Sequence, residues 1–298
     1  MNPLLLYTTI YNHLGGDLLP YWTLTPLRRF VRIIANYHLE KWLNRRFLPT
    51  QQIIDGLYVS FTSFPARINN VWKVVESIKH QTILPEKILL WLSKDQFSSE
   101  YCLPEKLRSI QDELFEIRFV EGDLRSHKKY IYACREFYDK LIFLIDDDIF
   151  YSPDIIEKSL SCYRKYPGSI ICNYGCQITY DENGHHLPYK SWRSVKNDAD
   201  IFFGSGGGTL FCPAFLYKDL TDEDIAIKLT PTADDIWLNA MARLAGVKIH
   251  QASSCILLPV INKNDKKLSQ INNDCCQNDI QIEAVEDHYG KCFDKIIQ

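Results

Sequence analysis

From Leu57 onward, apolar residues come in short runs separated by stretches with helical spacing. Leu57–Thr62 (LYVSFT), Lys87–Leu92 (KILLWL), Phe115–Val120 and Leu141–Ile145 (LIFLI) read as strands. The last is apolar throughout, as expected for the middle of a sheet covered on both faces. Ile68–His80 carries its apolar residues on one helical face, and Tyr130–Tyr138 reads as a further helix. Strands that alternate with helices imply βαβ units, and right-handed crossovers assemble these into an open sheet. The pattern therefore predicts an α/β fold: a doubly wound, mostly parallel sheet with helices on both faces. Such a sheet places its ligand site at the carboxyl ends of the strands.

After residue 148 the pattern is mixed. Ser152-Pro153 reads as an N-cap followed by proline at the first helical position, opening a helix to about Tyr166. Asp181-Glu182-Asn183-Gly184 reads as a turn, and a helix is expected from Thr232 to about Leu244. The polar stretch 262–278 reads as a loop. No repeat and no low-complexity tract is present.

Residues 1–50 form an N-terminal helical, basic segment. Leu27, Phe30, Val31, Ile33, Ile34 and Tyr37 fall on one helical arc, with Arg28, Arg29 and Arg32 on the other. Two readings follow: a helix packed on the main domain with its arginines outward, or a helix lying on a membrane surface. The remainder, 51–298, is expected to be one domain whose halves, 51–150 and 151–298, share one sheet.

Composition narrows the class. Hydrophobic residues make up 46% and charged residues 24% of 298, which excludes a disordered or collagen-like chain. The net charge of −3 gives no reason to expect nucleic acid as a partner. The first 50 residues nevertheless carry six basic and two acidic side chains, which marks 27–46 as a candidate contact with an anionic membrane surface. No apolar run reaches the roughly 18 residues of a membrane span, and the start lacks the charged region of a signal peptide. The ten cysteines show no CxxC pair and no zinc spacing. They read as reduced thiols, so a cytoplasmic protein is expected, peripheral on the inner face of the cell membrane if the basic segment docks.

The strongest chemical signal is Asp146-Asp147-Asp148, directly after the apolar strand. In extended backbone Asp146 and Asp148 point one way and Asp147 the other. Clustered carboxylate oxygens suit Mg²⁺ or Mn²⁺ with phosphate oxygens completing the shell; a solvated acidic turn is the plainer account. In TADDIW, Thr232 stands three residues before Asp235, as in a capping box, and Asp234 and Asp235 suit the first turn of a helix. A carboxylate placed there could equally serve as a general base. Gly204–Gly208 is either a flexible loop or a place where backbone approaches a ligand closely. Lys128 and Lys129 are either a surface pair or phosphate contacts.

TSFPARI, HKKY, IDDDIFY, GSGGGTLF, TADDIWLNAMA and QNDIQI, in that order over about 57–282, resemble the GT-A glycosyltransferases, and more narrowly the family 2-like enzymes of bacterial surface-polysaccharide assembly. The resemblance implies transfer of a sugar from a nucleoside-diphosphate donor, UDP-linked by preference, to a hydroxyl of a glycan or lipid-linked glycan. It implies that 51–150 and 151–298 are the donor and acceptor halves of a catalytic domain. It implies that Asp148, with Asp146, coordinates Mn²⁺ or Mg²⁺, and that Asp146 and Asp147 also face the donor. Thr62 and Arg67 would hold the nucleoside, and Lys128 or Lys129 the base or phosphate. Gly206 and Gly207 would lie beneath donor sugar and acceptor, with Tyr189 and Trp192 as an aromatic wall and Trp237 against a sugar face. Asn278 and Asp279 would close over the diphosphate, although Asp279 could simply cap the following helix. Asp235 or Asp234 would be the base of an inverting reaction, Asp235 preferred. His250 and His288 are candidates for a third metal ligand. The alternative is a metal-dependent phosphohydrolase using the Asp146–Asp148 strand end, although the triplet comes late in the chain and lacks the usual continuation.

Overall fold

The computed structural model describes residues 2–15, 21–44, 51–195, 200–253, 257–262 and 276–295. Arg45, Arg46 and most of the expected 262–278 loop lie outside the described residues. The strands are β1 (Gln52–Thr62), β2 (Ile83–Ser93), β3 (Phe115–Val120), β4 (Leu141–Ile145), β5 (Ile149–Phe150), β6 (Ile170–Cys172), β7 (Gly175–Gln177), β8 (Arg193–Ser194), β9 (Ile201–Phe203), β10 (Gly207–Phe211), β11 (Ile249–Gln251) and β12 (Leu258–Pro259). The helices are α1 (Pro3–His13), α2 (Tyr21–Leu43), α3 (Val71–Lys79), α4 (Glu105–Arg108), α5 (Lys128–Glu136), α6 (Ile155–Lys165), α7 (Glu223–Leu229), α8 (Asp234–Leu244) and α9 (Gln277–Tyr289).

Seven strands form the main sheet in the order β11-β6-β10-β4-β1-β2-β3. Neighbours pair in parallel except β10, which runs antiparallel to both β4 and β6. Small sheets of β8-β7-β9 and β12-β5 flank it. Alternation along the central strands separates two cores. Val59, Phe61, Ile88, Leu90, Phe143 and Ile145 face α2, α3 and α6. Tyr58, Leu89, Trp91, Ile142 and Leu144 face α5, α8 and α9. Residues 142–145 are fully buried, and each such side chain contributes about 1.5–3 kcal/mol relative to an exposed one. The expected doubly wound, mostly parallel sheet with helices on both faces is what forms.

Several boundaries differ from expectation for local reasons. Strand β1 begins five residues early, because Gly56 at φ 73° carries an irregularity between Ile54 and Tyr58 that restores pairing with β2. Helix α5 starts two residues earlier than the pattern suggested and ends at Glu136. Helix α6 opens at Ile155 rather than Pro153. Ser152 does not cap it: its hydroxyl donates to Asp154, while the Pro153 carbonyl accepts from Thr82 N at 2.6 Å. The 181–184 turn forms as expected, with Asp181 Oδ1 accepting from Asn183 N and His185 N.

Helix α2 packs on the main domain, but it is turned away from the expected orientation. Its buried residues are Leu24, Ala35, Asn36, Leu39 and Leu43, with Arg28 and Arg32 half-buried on that side. Leu27, Phe30, Ile33 and Tyr37 of the apolar arc are exposed. Val31 and Ile34 of the same arc are half-buried, Val31 against the core, so the arc is divided between the domain and solvent. No described helix is long and apolar enough to cross a membrane.

Candidate active site

The carboxyl ends of β1 and β4 lie side by side with the start of β10, because β10 is antiparallel and Gly207 pairs with Ile145. Topology thus gathers the segment after β1, the triplet after β4 and the glycine cluster at the carboxyl end of the sheet, where open α/β sheets place their ligands. Two helix starts complete the cluster: α5 brings Lys129, and α8 brings Asp234 and Asp235.

Asp146–Asp148 form a turn between β4 and β5. Asp147 points inward, where Ser63 Oγ donates to it at 2.5 Å and Arg67 Nη1 at 2.8 Å. Burial pushes its carboxyl up against the pull of Arg67 and Ser63. Arg67 also reaches Asp148 at 3.2 Å. Asp146 is the most open of the three, with 42% of its side chain exposed against 21% for Asp148 and 6% for Asp147. The two open carboxylates offer only hard oxygen donors, a set that fits Mg²⁺ or Mn²⁺ with water and phosphate oxygens as the other ligands. Neither His250 nor His288 joins them: the His250 ring stacks on Tyr166 at 3.8 Å, and His288 packs edge-on to Tyr289.

Lys129 connects the triplet to the second acidic pair. Its ammonium lies 3.0 Å from Asp146 Oδ1 and 2.8 Å from Asp234 Oδ2, in a nearly buried position. Burial alone would favour neutral lysine, but Asp146, Asp234 and Asp235 outweigh it and hold the amine firmly charged. Ser60 fixes this helix start from below, its hydroxyl donating to the Lys129 carbonyl at 2.5 Å. Lys128 is not brought to the triplet; it pairs with Asp123 instead. His127 is buried between the Tyr130 hydroxyl and the Thr230 carbonyl, and burial pulls its pKa down. Thr62 donates to the Trp91 carbonyl at 2.8 Å, within the sheet.

Asp234 and Asp235 are adjacent yet opposite in character. Burial raises Asp234, but Lys129, His127 and Ser205 Oγ overcome it and hold the carboxyl well below its ordinary range. Asp235 is pushed up to about 6, by burial first and by the charge of Asp234 second. It accepts one bond from Ser205 N at 2.7 Å. The expected capping box is absent. Ser205 engages Asp235 from outside the helix, and Thr232 Oγ1 donates to Gln281 Oε1. Neighbouring carboxylates held apart in this way divide into a permanent anion and a proton acceptor.

The glycine cluster is a close-packed shelf. A Cβ at Gly206 would lie 1.9 Å from the Asp146 carboxyl, and one at Gly207 would lie 2.4 Å from Tyr174 Cβ. Only hydrogen fits at Gly207, and at Gly206 the Asp146 carboxyl would have to move aside for a methyl. Tyr151 joins shelf to triplet: its buried hydroxyl accepts from Asp146 N at 2.8 Å and donates to the Gly206 carbonyl.

A cavity of about 480 Å³ opens beside Asp235, walled by Tyr174, Tyr189, Trp192 and Phe202, with Asn278 and Asp279 at its rim. Asp279 does not cap α9; its Oδ1 accepts from Tyr189 N at 2.7 Å. Trp192 is packed and nearly buried, with Nε1 donating to Leu187 O at 2.8 Å. Trp237 is fully buried and donates to Leu220 O, which removes it from any sugar contact. Ser63, Tyr151, Tyr174 and Ser205 join the candidate site without having been singled out in the sequence. Tyr151 and Ser205 stood inside IDDDIFY and GSGGG, but only packing shows what their polar groups hold.

The chain matches no protein-family model and no curated protein. Among solved structures it is similar to a UTP-bound UGPase from Acinetobacter baumannii, at 12% identity over 82% of this chain and 97% of that one, with a TM-score of 0.41. A 4-diphosphocytidyl-2C-methyl-D-erythritol synthase from Anaerococcus prevotii is similar at 14% identity over 79% and 97%, TM-score 0.39. HddC from Yersinia pseudotuberculosis is similar at 12% identity over 56% and 78%, TM-score 0.34. Likeness at that level says nothing of the chemistry.

Proposed function

We propose that the chain is a metal-dependent glycosyltransferase that moves a sugar from a nucleoside-diphosphate donor to an acceptor hydroxyl with inversion. The observation that carries this is the division of Asp234 and Asp235 within reach of the triplet: one carboxylate held ionised by Lys129, the next raised toward neutrality at the mouth of an aromatic cavity. Asp235, once deprotonated, accepts the proton of the acceptor hydroxyl as that oxygen bonds the anomeric carbon. The bond from that carbon to the donor phosphate breaks on the opposite side, and the nucleoside diphosphate leaves with the electron pair. Asp146 and Asp148 would hold the divalent ion, which when bound offsets the charge of the leaving diphosphate. Arg67 fixes Asp147 and Asp148. Lys129, already shared between two carboxylates, acts by setting their charge. The cavity receives the acceptor on aromatic faces, with Asn278 and Asp279 at its edge.

A thermal-shift panel of nucleoside diphosphates and nucleotide sugars, with and without Mn²⁺, tests the donor site. A ligand present at a hundred times its Kd stabilises by about 2.7 kcal/mol. Nucleoside-diphosphate release from a nucleotide sugar then tests the reaction. Turnover of a generic phosphate ester would indicate a phosphohydrolase instead, and pyrophosphate release from UTP and a sugar phosphate would indicate nucleotidyl transfer. Either result overturns the proposal.

A further inference from the structure

The exposed apolar residues of α2 are a feature of the fold that the site does not use. Phe30 is 61% exposed, Tyr37 59% and Ile33 52%, with Leu27 beside them. Their spacing places Phe30, Ile33 and Tyr37 on one face. Leu5 and Ile10 of α1 are exposed as well. Scattered exposed apolar residues are ordinary, but several on one helical face mark a contact surface.

Charge identifies the contact. Arg29 is exposed at the flank of this face, and the Lys41 ammonium stands 4.0 Å above the Tyr37 ring at its end. Among the described residues of both helices Glu40 is the only acid, and it is paired with Lys73 at 2.8 Å. An apolar face edged by cations matches an anionic lipid surface. A second copy of the chain would set the same cations against each other.

The face is also wired to the site. Asn36, on the inner side of α2, donates to Pro259 O at 3.0 Å and accepts from Ile261 N at 2.8 Å. Pro259 belongs to β12, which pairs with β5 directly after the triplet, and Val260 N donates to Asp148 O at 2.7 Å. We infer that the α1–α2 pair seats the protein on an anionic bilayer surface through Phe30, Ile33 and Tyr37, with Arg29 and Lys41 at the headgroups. The inference stands on exposure and charge, and is independent of which reaction the site performs.

Co-sedimentation of the full chain with phosphatidylcholine vesicles, and with vesicles containing one quarter phosphatidylglycerol, tests it. The intact protein should pellet with the anionic vesicles and scarcely with the neutral ones, and pelleting should fall between 0.1 and 0.5 M NaCl as the Debye length shortens. Phe30→Ser with Ile33→Ser should abolish pelleting. Arg29→Gln with Lys41→Gln should weaken it about twenty-five-fold, from about fivefold per cation. All four side chains lie on the exposed face, so both variants should keep the thermal transition of the parent. A parent protein that stays in the supernatant, or variants that pellet as it does, overturns the inference. So does pelleting indifferent to salt and lipid charge. A dimer in sedimentation velocity that Phe30→Ser with Ile33→Ser dissociates, without lipid binding, would assign the face to a second copy.

Discussion

Asp235→Asn should make the protein inactive and more stable at once. The carboxyl is pushed from 3.8 up to about 6 by burial and by Asp234. That is about two pH units, each worth about 1.4 kcal/mol, so ionising Asp235 in the folded state costs up to about 3 kcal/mol. Contact with the cavity screens part of this, and about 1–3 kcal/mol is expected. The sign follows from the raised pKa: the folded state binds a proton that the unfolded chain has released. The parent therefore loses stability as pH rises from about 4 through 6 and stays at the lower value above. Asparagine resembles the protonated acid and can still accept from Ser205 N. The variant should be the more stable at pH 8, and the difference should vanish near pH 4. Urea unfolding at both pH values measures this without any substrate. Activity, read as nucleoside-diphosphate release, should fall by about 10²–10⁴-fold. In the parent it should fall as pH drops through about 6, as the base becomes protonated. Equal stability of the two proteins at pH 8 would refute the account of how Asp235 is raised. Undiminished transfer by the variant would refute its role as base.

Asp148→Ala should abolish Mn²⁺-dependent stabilisation by nucleoside diphosphates in thermal shift while leaving the metal-free transition in place; persistence of that stabilisation would exclude Asp148 as a ligand. Gly206→Ala should leave stability within about 1 kcal/mol, because the added methyl meets only the movable end of Asp146, yet should cut activity at least tenfold by displacing that carboxylate. Lys129→Met should cost about 3–5 kcal/mol at pH 8 by stranding Asp234 and Asp146 without their cation, and the loss should shrink on acidification as they take up protons. Tyr151→Phe should cost about 1–3 kcal/mol in urea unfolding, because the Asp146 amide and the Gly206 carbonyl lose their shared hydroxyl.

Alternating patterns along the chain were sufficient for the architecture. LIFLI could only be a strand covered on both faces, and helical spacing between such runs made a parallel, doubly wound sheet the economical arrangement. The rule that sites form at strand carboxyl ends then singled out Asp146–Asp148. These are local properties, because period and apolarity act on neighbouring residues. Everything in the site that depends on partners was decided by tertiary structure. The adjacent lysines could not be told apart in sequence; the end of β3 turned Lys128 to Asp123, and Ser60 beneath the helix start set Lys129 between Asp146 and Asp234. Asp234 and Asp235 are the same residue twice over until Lys129 and Ser205 arrive from distant segments and divide them. Nor could the chain alone say which side of α2 would be covered. A helix with apolar residues on one arc and arginines on the other ordinarily buries the apolar arc. Here Asn36 is pinned to Pro259 and Ile261 by hydrogen bonds made across more than 200 residues of chain, and this turn of the helix leaves Leu27, Phe30, Ile33 and Tyr37 of the arc facing out.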